Sequence, residues 1–78
     1  GHVRRLQRRQ ILSDREREVL VALARGGSNK EIGQDLGISA KTVQHHVLHI
    51  YNKIGVSTRA AAALYAAENG LISAEKKA

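Results

Sequence analysis

The chain has 78 residues, enough for one small domain with one modest core. It contains no Phe, Trp, Met, Cys or Pro, so that core must be assembled from Ile, Leu, Val and Ala, a composition that favours helices packed on helices. The formal charge of +6 is uneven, with four of the positive charges in residues 1–12 and a nearly neutral body over 13–73, so the acid-free stretch from Ser39 to Arg59 is what points to a polyanionic partner, while the missing cysteines exclude disulfides and thiolate metal sites and fit a reducing, cytoplasmic setting.

Residues 1–11 read as a basic linker or frayed lead-in, with Arg4, Arg5, Arg8 and Arg9 and no clear apolar stripe. The chain opens Gly1-His2 without Met, so a module of a longer protein is expected. No signal peptide is visible, and no apolar run is long enough for a bilayer, so no membrane partner is expected.

The first helix is predicted to start at Ser13. In Ser13-Asp14-Arg15-Glu16 the serine oxygen and the glutamate can each satisfy an orphan backbone donor. Val19, Leu20, Leu23 and Ala24 follow at helical spacing, and Gly26-Gly27 ends the pattern. Asp14, Glu16 and Glu18 support the helix start through its dipole, and a pairing of Glu16 with Arg59 is anticipated.

Ser28-Asn29-Lys30-Glu31 repeats the capping pattern and opens a second helix, with Ile32 and Leu36 inward and Gly37 as its stop. Only Gly37-Ile38-Ser39 separates it from the third helix, about Ala40 to Ile54, with Ile38 plugging the corner and Ser39 as N-cap. Gly55 ends the third helix, and Val56 is expected in the core. Ser57 is then expected to cap a fourth helix, Thr58 to Asn69, rich in alanine. Leu71 and Ile72 are expected to fold back, and residues 74–78 to fray. The expected fold is all-α: a four-helix, bundle-like domain over residues 12–73.

Two short helices joined by a tight glycine turn form a helix-turn-helix. The turn is too short for antiparallel contact, so the helices cross steeply and one face of the third helix stands clear. A helical rod about 10–12 Å across fits a major groove about 12 Å wide. At about 100° per residue, Val43, Val47, Ile50 and Ile54 face inward, while Lys41, His45, Leu48 and Asn52 lie opposite, flanked by Gln44 and His49.

Each outward residue suits DNA. Lys41 can meet a phosphate or a guanine edge, Gln44 pairs a donor and acceptor against adenine, and His45 can donate to a base or phosphate. Leu48 can touch a thymine methyl, and Thr42 can bond a phosphate beside the helix-start amides. Asn29 and Lys30 hold the corresponding position on the second helix, and Lys53 and Arg59 extend the basic track. Thr58 and His49 complete the candidate contacts. Between Ser39 and Arg59 there is no acid.

The stretch Leu12 to about Leu64 resembles the LuxR/FixJ/NarL-type (GerE-like) DNA-binding domain of bacterial transcription regulators. The likeness is carried by Leu12-Ser13, Arg15-Glu16, Glu18-Val19-Leu20, Ser28-Asn29-Lys30-Glu31-Ile32, Ile38-Ser39, Thr42-Val43, His46-Val47, Gly55-Val56 and Thr58-Arg59, among others. The resemblance implies a third helix that reads the major groove of double-stranded DNA, a homodimer formed through the fourth helix, and a receiver or ligand-binding regulatory domain ahead of this one. Gln44 stands where such domains most often have lysine, and Leu48 where a polar or basic residue is common. Gly33 replaces the usual alanine and is expected to loosen the second helix by about 1 kcal/mol or less.

On the fourth helix, if Ala62 and Ala66 face the core, Ala61, Leu64, Tyr65 and Glu68 face out and suit a close contact between two copies, unless Leu64 or Tyr65 packs on its own subunit. Such a dimer would match a two-fold operator. His45 and His49 have ligand spacing, but a zinc site needs three or four ligands, and the third helix has no carboxylate. His46, nearer the core edge, is read as structural, bonded to backbone or a neighbouring helix. No glycine-rich phosphate loop occurs, so no metal, no cofactor and no enzymatic activity are expected. The alternative function is a helical interaction module docking on an acidic protein.

Overall fold

In a computed structural model, residues 11–72 are described. The lead-in up to residue 10 and the tail over 74–78 lie outside them. The described residues form α1 (Asp14–Ala24), α2 (Asn29–Leu36), α3 (Ala40–Ile54) and α4 (Arg59–Glu68), with no strand among them.

Local chemistry fixes the helix starts. The Ser13 hydroxyl accepts from the Glu16 amide at 3.1 Å, and the Glu16 carboxylate accepts from the Ser13 amide at 2.9 Å. Ser28 and Glu31 repeat both bonds at 3.1 and 2.9 Å. Each reciprocal pair satisfies two otherwise orphaned donors, so both helices begin where the serines stand. Ser39 caps α3 by accepting from the Thr42 amide at 3.0 Å. The fourth start differs from expectation by one residue. Thr58, and not Ser57, is the cap, accepting from the Ala61 amide at 3.1 Å, and α4 begins at Arg59.

Packing follows the apolar stripes. Val19, Leu20 and Leu23 of α1 meet Ile32 of α2, Val43 and Ile50 of α3, and Ala62 and Ala66 of α4 in one aliphatic core. The two alanines are fully buried, because small side chains let α4 lie close along α1. Ile38, Leu71 and Ile72 are partly buried against this core, as expected of a corner plug and a fold-back, whereas Val56, expected in the core, is only partly buried against it. No helix among the described residues is long and apolar enough to cross a membrane.

The α2–α3 corner is tighter than its sequence suggests. Gly37 takes the left-handed conformation, φ 74°, and its amide donates to the Gly33 carbonyl. The Ile38 amide donates to the same carbonyl at 2.9 Å. Gly33 is itself buried, and a Cβ there would lie 2.5 Å from the Ile38 carbonyl oxygen. The expectation of a merely loosened helix is therefore incomplete: the missing side chain is what lets the corner close on the backbone of α2.

Candidate nucleic-acid interface

The corner turns α3 so that Val43 and Ile50 are fully buried, Val47 nearly so and Ile54 partly so. Lys41, Gln44, His45, Leu48, His49 and Asn52 are exposed along the other side. Leu48, an aliphatic side chain with no charge to justify exposure, is 52% exposed. Thr42 is half-buried, and its hydroxyl shares a 2.9 Å hydrogen bond with Ser39. Among the described residues no three His, Asp or Glu side chains converge to hold a metal ion.

Further candidates lie at the α2 N-terminus and the α4 start. On α2, Lys30 is exposed and Asn29 half-buried. Arg59, at the start of α4, donates to the Gly27 carbonyl at 2.9 Å and to the Asn29 side-chain oxygen at 3.4 Å. The anticipated Glu16–Arg59 pair does not form. Burial decides this: Glu16 sits under α3, whereas Arg59 reaches the α1–α2 loop.

The partner of Glu16 is Lys53, whose ammonium donates at 2.8 Å. Glu16 is buried, at 6% exposure, and the Lys53 side chain is 42% exposed. Glu16 Oε1 thus receives the Ser13 amide and the Lys53 ammonium together. Burial alone would push this carboxyl up. The Lys53 hydrogen bond, the Ser13 amide and the Lys53 charge together outweigh it and hold the carboxyl below its ordinary value of 4.5.

The unfolded chain takes up the Glu16 proton first as pH falls, so the pair's contribution is complete above the ordinary carboxylate range. It is lost as pH falls through the lower native value. Glu16→Gln is therefore expected to lower the melting temperature at pH 7 more than at pH 3. A gap equal at both pH values would show that the carboxylate contributes nothing through its charge.

Two expectations need adjustment. His46 is half-buried but makes no hydrogen bond among the described residues, so its place is set by packing. On α4, Leu64 is 58% exposed and Glu68 is exposed, whereas Ala61 and Tyr65 are half-buried, Tyr65 packing against the core. Tyr65 therefore gives only part of its surface to the outer face. Sequence reasoning missed the Glu16–Lys53 pair, whose members are 37 residues apart, and the one available signal was an acid on the buried stripe of α1.

Residues 10–66 match the GerE family, described as "Bacterial regulatory proteins, luxR family". The chain is 47% identical over 64 residues to the transcriptional regulatory protein LiaR of Bacillus subtilis (strain 168), covering 82% of the chain and 30% of that protein. It is 49% identical over 53 residues to the probable transcriptional regulatory protein SgaR of Hyphomicrobium methylovorum, covering 68% and 25%. It is 41% identical over 63 residues to the response regulator protein VraR of Staphylococcus aureus (strain Mu3 / ATCC 700698), covering 81% and 30%. The chain thus spans less than a third of the length of these curated relatives.

Proposed function

The chain belongs to the luxR family of bacterial regulatory proteins, as a DNA-binding output domain of a transcription regulator, and from that premise we propose how it meets DNA. The α3 ridge enters the major groove of double-stranded DNA. Lys41, Gln44, His45 and Leu48 face base edges, with His49 beside them. Asn29, Lys30, Thr42 and Thr58 hold phosphates, and Arg59, whose bonds go to neutral acceptors, keeps its full charge beside them. The single observation that carries this reading is an exposed, acid-free ridge on α3, backed by a largely buried apolar stripe and held out by a corner too tight for a side chain at Gly33.

The functional unit is residues 12–73. Its output is binding rather than catalysis, and it acts in the bacterial cytoplasm, at the nucleoid when bound. A regulatory domain precedes it in the whole protein, which the response-regulator relative supports. Selection from a random duplex pool should enrich one motif, and the chain should then prefer it over a scrambled duplex. Equal binding to both would favour the alternative of docking on an acidic protein surface.

Two copies pair through the exposed side of α4, with Leu64 at the centre and Ala61, Tyr65 and Glu68 around it. Half-sites then lie about one helical turn apart on a two-fold operator. Leu64→Arg should abolish cooperative binding to a two-half-site duplex while leaving binding to a single half-site unchanged. Unaltered cooperativity in that variant would place the dimer contact elsewhere.

A further inference from the structure

Lys53 carries one of the two lysine charges on α3, and basic residues along such a helix usually serve the phosphates. Its surroundings argue otherwise. The ammonium lies 2.8 Å from a carboxylate that is 6% exposed, and that carboxylate already accepts the Ser13 amide. If Lys53 swung out to a phosphate, Glu16 would be left as a buried anion without a cation, which is costly. We propose that Lys53 is a positioning residue whose bond to Glu16 sets the pitch of α3, and that Glu16, an acid, thereby supports DNA reading. This role rests on the reading that α3 lies in the major groove.

Geometry explains why such a brace matters. The α3 helix is held near its N-terminus by the closed corner at Gly33 and near its C-terminus by Lys53. The reading ridge lies between the two. Residue 44 is nine residues from Lys53, about 13 Å along a helix rising 1.5 Å per residue. A tilt of about 5° pivoting at Lys53 moves residue 44 by about 1.2 Å over that length. Hydrogen bonds to base edges keep good geometry over only about 0.5 Å in length. Loss of the brace should therefore blur base discrimination more than it weakens general attraction to DNA.

The test compares the 78-residue chain with Lys53→Met, Lys53→Arg, Glu16→Gln and the Lys53→Met/Glu16→Gln pair on the selected and scrambled duplexes, over a range of salt. Thermal unfolding confirms that each variant is folded. Lys53→Met and Glu16→Gln should each cut the selected-to-scrambled affinity ratio about fivefold, and the double variant should fall no further than either single one. Lys53→Arg, which can still reach Glu16, should keep the ratio. The salt slope of Lys53→Met should equal that of the unaltered chain.

A Lys53→Met variant that weakens both duplexes equally, with a salt slope shallower by about 0.9, would make Lys53 a phosphate contact and overturn the proposal. An unchanged or higher ratio in Glu16→Gln would overturn it too. If Glu16→Gln does not fold, the contrast of Lys53→Met with Lys53→Arg decides. Failure of the brace leaves the unaltered chain's duplex preference intact, whereas absence of any preference in that chain overturns the DNA reading and this role together.

Discussion

Gly33→Val is expected to remove about 3 kcal/mol of folding stability, near the top of the range for forcing extra atoms into a packed site. A Cβ at this position meets the Ile38 carbonyl oxygen at 2.5 Å, with Ser39 C and Ala40 N at 3.3 and 3.4 Å. All three neighbours are backbone, so none can rotate away. The same carbonyl belongs to a residue whose amide is bonded to Gly33, so displacing it also strains the turn. Alanine already brings its Cβ into the 2.5 Å contact, so Gly33→Ala is also expected to destabilise, offset in part by about 1 kcal/mol of helix propensity and by less than valine. Valine adds two methyl groups with restricted rotation, and α2 and α3 must separate to admit them. Urea unfolding of both variants measures this. A Gly33→Val midpoint equal to that of the unaltered chain would mean that the corner is not closed as described.

Gln44→Ala is expected to cost about 1–3 kcal/mol on the selected duplex and to relax preference at one base pair. Gln44 is exposed on α3, three residues past Lys41 and four before Leu48, so it lies within the proposed ridge and holds no core contact. Its removal should leave the fold intact, since it makes no hydrogen bond among the described residues. The whole loss should therefore appear in binding, concentrated at an adenine in the preferred site. A uniform drop on all duplexes would assign Gln44 to the backbone, and no change would remove it from the ridge.

What the sequence revealed was mostly local. Both capping boxes span three residues, and the serines and glutamates that form them stand in plain view. The inward stripe of α3 was equally legible, because Val43, Val47 and Ile50 repeat with the helical period and little else competes. Features that join distant segments were not. Lys53 looked like part of a basic track because nothing nearby in sequence announces an acid under it. Arg59 reaches a backbone carbonyl, and no residue type signals a carbonyl as partner. The phase of α4 was blurred by its alanines, which fit a core or an outer face with similar ease. Only packing shows that Ala62 and Ala66 point inward and that Tyr65 lies partly against the core.

These placements also thin the positive stripe. With Lys53 neutralised by Glu16, Lys41 is the one lysine of α3 left without a carboxylate partner among the described residues. Discrimination then has to come from shape and hydrogen bonding along Gln44, His45 and Leu48 more than from charge density.

The most direct measurement is a titration of the isotope-labelled chain with the selected duplex, followed residue by residue through its backbone amide and Leu48 methyl NMR signals. The largest changes should fall on Lys41, Gln44, His45 and Leu48, with contacts between the Leu48 methyls and base-edge protons of the major groove. Changes centred on Leu64 and Glu68, with Leu48 silent, would contradict the account.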